Sequence, residues 1–320
     1  MTHRRIALAA GALLLSALPA AAQTYPSKPV RIITANSAGG TSDIFSRALG
    51  EELQKAWGQP VIIDNRPGGG MNISGRACAE APNDGYTICI LPNEVLTLNQ
   101  FTFKSIPYNP EKDFEPITNA FINTQVVVVS SALNVGSFDQ LAALSKAKPG
   151  TLSYAALAIP MIVTVEQWKK KTGADLVSVP VRGGTEIVNG LMNGSTPVAI
   201  VGLPNFISHI RAGTVKALAV DSETRSPLFP DVPTLNELGF PTLAPVYFGF
   251  VAPAGTPQPI VQKLHGDIAR IGNEPTFRQK RLIDIGIHPV FDTPEQFGAY
   301  IRQQRTSSEK MIRESGYQPR

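Results

Sequence analysis

"VRIITANSAGGTSDIFSRALGEELQKAWGQPVIIDN", residues 30–65, switches between two patterns within one short span. The apolar run Val30-Arg31-Ile32-Ile33 reads as a strand over 29–34. Phe45, Leu49, Leu53 and Trp57 then recur at the spacing of one helix face. They predict a helix over 43–57 that stops at Gly58. Val61-Ile62-Ile63 belongs to a second strand, 60–64. Strand, helix and strand in close succession begin a parallel α/β sheet. Between the first strand and the helix lies a bare hinge: Asn36, Ser37, Ala38, Gly39, Gly40, Thr41, Ser42 and Asp43, with no Lys, His or Cys.

The alternation continues outward. A helix over 73–81 and a strand over 86–91 complete a βαβαβ unit. Helices at 138–147, 163–172, 185–193 and 205–212 lead to strands at 151–156, 176–181, 197–202 and 215–220. Two apolar runs interrupt the rhythm, Gln125–Val129 and Val246–Val251, and read as crossing strands between two lobes. Three helices close the chain. The last opens at Thr293-Pro294-Glu295-Gln296, a cap, a proline in the first turn and a Gln three residues on. The expected architecture is a two-lobed α/β fold around a hinged cleft. Residues 23–124 and 246–320 form one lobe and 125–245 the other. Ligands in such folds sit beyond the carboxyl ends of the strands, where the hinge at 36–43 lies.

Residues 1–22 read separately. His3-Arg4-Arg5 is a basic start, Ile6–Leu18 an uncharged apolar run, and Ala20-Ala21-Ala22 a site for signal peptidase. This is a secretory leader, expected to be cleaved after Ala22, so the mature protein is exported to the periplasm. Its loss lowers the formal charge from +4 to +2. The remaining basic residues are scattered, which argues against nucleic acid as a partner. In an oxidising compartment Cys78 and Cys89 are candidates for a disulfide, with two buried thiols as the alternative.

The hinge suits a small anion. The first N–H groups of a helix have no intrahelical partner and carry the positive end of its dipole. Gly39 and Gly40 admit a ligand to the backbone, and Thr41 and Ser42 add hydroxyl donors. Asp43 would repel an anion, and reads as a cap bonded to backbone N–H groups. The plain alternative is an ordinary capped turn. Gly70–Ala77 has the glycine spacing of a phosphate loop, but Arg76 and Ala77 stand where Lys and Ser or Thr are needed. His209, His265 and His288 accompany no nucleophile motif, and no G-x-S-x-G or H-E-x-x-H occurs. No cofactor or metal site is expected.

The blocks "YPSKPVRIIT", "AGGTSD", "GQPVIIDNRPGGG", "PNDGYTI", "IPYNPEKDFEPI", "HIRAGTVKALAV", "RSPLFPDVPTLNELG" and "APAGTP" run in order along the chain. Together they resemble the extracytoplasmic solute receptors of tripartite tricarboxylate transporters, the Bug or TctC-like proteins. The resemblance covers residues 25–316. It implies a type II periplasmic binding fold, a small organic acid as ligand, transporter membrane subunits as partners, and a monomer. It also implies two facing loops that hold a carboxylate. The first maps onto Asn36, Ser37, Ala38, Gly39, Gly40 and Asp43, with Asn36 in place of the family's aromatic.

The second loop departs from the family's polar pattern. Tyr154 is followed by Ala155, Ala156, Leu157, Ala158, Ile159, Pro160, Met161, Ile162, Val163 and Thr164, an apolar wall. Val201 and Gly202 replace a polar pair able to meet an amino group, which disfavours a zwitterionic amino acid. With Thr41 and Tyr247, these positions complete the candidate site. An exported hydrolase and a ligand-sensing adaptor are the competing functional readings. The former lacks a nucleophile–base set.

Overall fold

The computed structural model describes residues 25–319 except 182, 223 and 241–243. The leader and its cleavage after Ala22 lie outside the described residues. The chain forms two mixed sheets with helices against them. In the first half these are β1 (Val30–Thr34), α1 (Thr41–Trp57), β2 (Val61–Asn65), α2 (Asn72–Ala79), β3 (Thr87–Pro92), a π-helical turn (Glu94–Leu98), α3 (Asn99–Thr102) and β4 (Phe114–Asn123). Then come β5 (Gln125–Ser130), α4 (Phe138–Ala147), β6 (Ser153–Ala156), α5 (Ile159–Thr172), β7 (Val177–Ser178), α6 (Gly184–Met192), β8 (Val198–Gly202), α7 (Ile207–Arg211) and β9 (Val215–Asp221). The chain ends with β10 (Tyr247–Pro253), α8 (Gln258–Gly272), α9 (Pro275–Arg281), β11 (Ile287–Pro289) and α10 (Pro294–Ser315).

The first sheet is six-stranded, in the order β11-β4-β10-β3-β1-β2, and the second five-stranded, β7-β6-β8-β5-β9. β1 pairs in parallel with β2 and β3, whereas β10 runs antiparallel between β3 and β4. In the second sheet β6 is parallel to β7 and β8, and β5 is antiparallel to β8 and β9. The chain therefore changes sheet at Thr124 and returns between β9 and β10. The two passages are tied to each other: the Asn123 N–H donates to the Val246 carbonyl at 2.7 Å.

The apolar runs expected to cross do not themselves cross. β5 belongs wholly to the second sheet and β10 wholly to the first. Sequence reading missed two strands, the short edge strand β11 between the closing helices and β4, whose apolar pattern Pro116 and Asn119 break. Pro116 is accommodated where the β4–β10 register shifts. α5 starts at Ile159, four residues before the expected Val163, with Pro160 in its first turn. A proline there loses no hydrogen bond, since its N–H would have no partner. The expected cap on α10 is present as a full capping box between Thr293 and Gln296.

Cys78 on α2 and Cys89 on β3 are joined as a disulfide with Cα atoms 6.1 Å apart, and both are fully buried. The bridge pins α2 to the strand beside β1. Replacing both cysteines by Ser is expected to cost about 3 kcal/mol, the loop-closure term for so short a loop. Urea melts of the oxidised protein and the double variant measure this. Thiol titration of unfolded, unreduced protein is expected to find none, and two free thiols would contradict the bridge.

Candidate ligand-binding cleft

Three helices begin at one place between the sheets. α1 starts behind Gly40, α5 behind Ala158 and α6 behind Gly183. Gly40, Thr41, Ala158 and Gly184 all line a single cavity. The first N–H groups of each helix lack intrahelical acceptors, so three positive dipole ends converge from both lobes. An anion is the chemistry such a convergence accepts.

The cavity measures ≈ 30 Å³, room for a water or two. Met71, Leu157, Val201, Val246 and Phe248 form its apolar walls, and Asn36, Glu94, Asn123, Gln125 and Asn205 its polar ones. The lobes touch across it. Thr185 Oγ1 donates to the Ala38 carbonyl at 3.2 Å, and Asn205 Nδ2 donates to Thr41 Oγ1 at 3.3 Å.

The loop before α1 is held by its own polar network. Asn36 Oδ1 accepts from the Ser42 hydroxyl at 2.7 Å and from the Ser42 N–H at 3.3 Å. Ser42 also shares a hydrogen bond with Thr34, so its hydroxyl is occupied within the loop. Asn65 Nδ2 donates to the Asn36 carbonyl and to Asp43 Oδ1, each at 2.9 Å. Asp43 accepts from the Gly39 N–H at 2.9 Å and pairs with Arg47 at 2.9 Å. Burial alone would raise its pKa, but Arg47, the Gly39 N–H and Asn65 outweigh it and hold the carboxyl below its ordinary value. Asp43 therefore does not cap α1 as expected: the N-cap is Gly40, and the carboxylate bonds the Gly39 N–H ahead of the helix. Gly40 is bare for a local reason too. Its φ is −76°, and a Cβ would meet Asn36 Cβ at 2.8 Å and the Ser37 carbonyl at 3.1 Å.

Of the candidate residues, Asn36, Gly40, Thr41, Leu157 and Val201 come together around the cavity. Ser37, Ala38 and Gly39 form the rim facing α6. Ala155 is buried in the second lobe's apolar cluster, and Ala156 packs against the main core. Thr164 is not in the lining, because the early start of α5 carries it into the helix body, where its hydroxyl donates to the Pro160 carbonyl at 3.0 Å. Tyr247 is also outside. Alternation along β10 turns Val246 and Phe248 to the cavity and sends Tyr247 to the other face, against Phe297 and Tyr300. That hydrogen-bonded loop and that alternation were not resolved by counting residues.

The sequence reading missed Glu94, Asn123, Gln125, Gly184 and Asn205. A signal for Glu94 was present: it is the single charge in the apolar stretch Ile88–Leu98. It is 3% exposed, and among the described residues no side chain donates to its carboxylate; the groups that face it are backbone N–H, its own and that of Ile159. Burial pushes its pKa up to about 7, with the Ile159 N–H opposing.

Comparison with known proteins agrees with this fold. The description "Tripartite tricarboxylate transporter family receptor" matches residues 45–317. Protein BugT of Bordetella pertussis is 33% identical over 308 residues, 94% of this chain and 93% of that protein. A solved periplasmic transporter superposes with a TM-score of 0.86 at 32% identity, covering 92% of this chain and 99% of that one. R. palustris Rpa4515 with adipate superposes with a TM-score of 0.87 at 28% identity, covering 92% and 100%. Among the described residues, no helix is long and apolar enough to cross a membrane. With its two-lobed α/β architecture, the chain belongs to the Bug/TctC family of tripartite tricarboxylate transporter receptors.

Proposed function

We propose that this protein is a periplasmic receptor, exported by the leader that ends at Ala22. It captures a small organic acid in the cleft and delivers it to the membrane subunits of a tripartite transporter. The observation that carries this reading is the convergence of the α1, α5 and α6 N-termini on one cavity. A ligand carboxylate meets Gly40 and Thr41 from one lobe and Gly184 from the other, with Asn36 and Asn205 behind them. The apolar walls, including Leu157 and Val201, cover its carbon body. The likeness to a protein solved with adipate supports a carboxylic acid. The lining favours binding over hydrolysis: its one hydroxyl, Thr41, is engaged by Asn205, and among the described lining residues none is His, Lys, Ser or Cys.

The lobes are bonded to each other across the cavity, so capture needs them, 23–124 with 246–320 and 125–245, to separate and close again. Hinge closure about two connecting segments is the motion this connectivity permits. Small-angle scattering tests it. Titration with succinate, glutarate and adipate and their monoamides is expected to reduce the radius of gyration for those acids that bind. A radius unchanged at saturation by a bound acid would contradict capture by closure.

A further inference from the structure

Glu94 opens the π-helical turn after β3, and the rest of that turn, Val95 to Leu98, is buried. Glu94 lines the cleft, and among the described residues no side chain donates to its carboxylate. The backbone N–H of Ile159, at the start of α5 in the other lobe, faces it. Asn123 Oδ1, also at the cavity, is a further buried acceptor, without a donor. Burying these acceptors with so few donors is costly unless something supplies more.

We propose that Glu94 makes this receptor select acids with one carboxylate and a hydrogen-bond-donating far end, an amide, hydroxyl or ammonium, over dicarboxylates. The inference rests on the organic-acid reading above and sharpens it. Glu94 already faces the N-terminus of α5, which leaves the ends of α1 and α6 for one ligand carboxylate. A second ligand carboxylate would lie beside that of Glu94, and two buried like charges cannot both stay ionised. A donor there instead satisfies Glu94 and Asn123 together. Val201 and Gly202 offer nothing to an amino group, so this acceptor pair on the first lobe is where such a group would be met.

The selectivity depends on pH. Above about 7 Glu94 is ionised and repels a second carboxylate; below it the acid is neutral and can donate its own proton. The titratable groups facing it are Tyr108 and Tyr247, whose hydroxyls burial pushes well up, and Arg305 lies beyond Tyr247. Neither tyrosine changes charge near neutral pH.

The test is titration calorimetry with succinate, glutarate and adipate, each against its monoamide and the ω-amino acid of equal length. Wild type and Glu94→Gln are compared near pH 8 and near pH 6. At the higher pH, wild type is expected to bind the best donor-bearing acid at least about tenfold tighter than its dicarboxylate, a 1.4 kcal/mol difference. Dicarboxylate affinity is expected to rise about tenfold at the lower pH, as one proton is taken up with the ligand. Glu94→Gln, which keeps the shape, is expected to lose both effects. Equal binding of the two classes by wild type at the higher pH would overturn the inference while leaving the organic-acid reading intact. So would a preference that persists unchanged in Glu94→Gln. If no acid binds either protein under any condition, the organic-acid reading falls and this inference with it.

Discussion

Phe45→Ala is expected to destabilise the protein by about 3–5 kcal/mol, the usual cost of emptying a buried phenylalanine site. Phe45 is fully buried on α1, one turn beyond the cleft. Its ring centroid lies 4.9 Å from that of Phe121 in an edge-to-face pair. Phe250 and Phe277 follow at 6.3 Å and Phe291 at 6.4 Å. These rings come from β4, β10, α9 and the segment after β11. One side chain therefore ties the helix that presents Gly40 and Thr41 to four parts of the first lobe. Each aromatic pair adds about 0.5–1.5 kcal/mol beyond the area buried, which places the loss toward the upper end. Urea unfolding of wild type, Phe45→Ala and Phe45→Leu measures it, with Leu recovering much of the loss. A change below about 1 kcal/mol for Ala would show that the cluster relaxes around the gap.

What could be read from the sequence follows from where local pattern dominates. The βαβ units were legible because α1, α4 and α6 carry their apolar residues at helical spacing and end in glycine or polar turns. The disulfide was legible because α2 folds back on the next strand. β4 was not, since a proline and two asparagines dilute a strand that lies between two others. In the site, the loop at 36–43 announced itself through its glycines and hydroxyls. Its role could be read only in part: Ser42 and Asp43 serve the loop, and Gly40 makes room for Asn36. The second jaw was harder. Gly184 and Asn205 come to the cleft from elements separated by β8, and no spacing rule brings them beside Thr41. Glu94 needed the tertiary fold to show that it is buried at the cleft.

Gly184→Asp is expected to leave the protein folded while weakening organic-acid binding thirtyfold or more. Gly184 is the first residue of α6, and a Cβ there would stand 3.2 Å from Asn205 Oδ1 and 3.4 Å from Val201 Cγ2, both cavity residues. An acidic side chain in the first turn of a helix stabilises it by about 0.3–1 kcal/mol. The same charge now occupies the electropositive end that the ligand carboxylate needs. Two such charges about 4 Å apart repel by about 4 kcal/mol at an effective dielectric constant of about 20. Half of that already weakens binding about thirtyfold. A loss of affinity far larger than any loss of stability separates an anion site from a position that merely packs.

The most direct measurement of the central claim is calorimetric titration of wild type and Gly184→Asp with the best-binding acid of the succinate, glutarate and adipate series and their monoamides, alongside a thermal melt of each. Capture of a carboxylate by the converging helix ends predicts saturable one-to-one binding to wild type, and its loss in Gly184→Asp while that variant still melts cooperatively. Equal affinity of the two proteins for the same acid would contradict it.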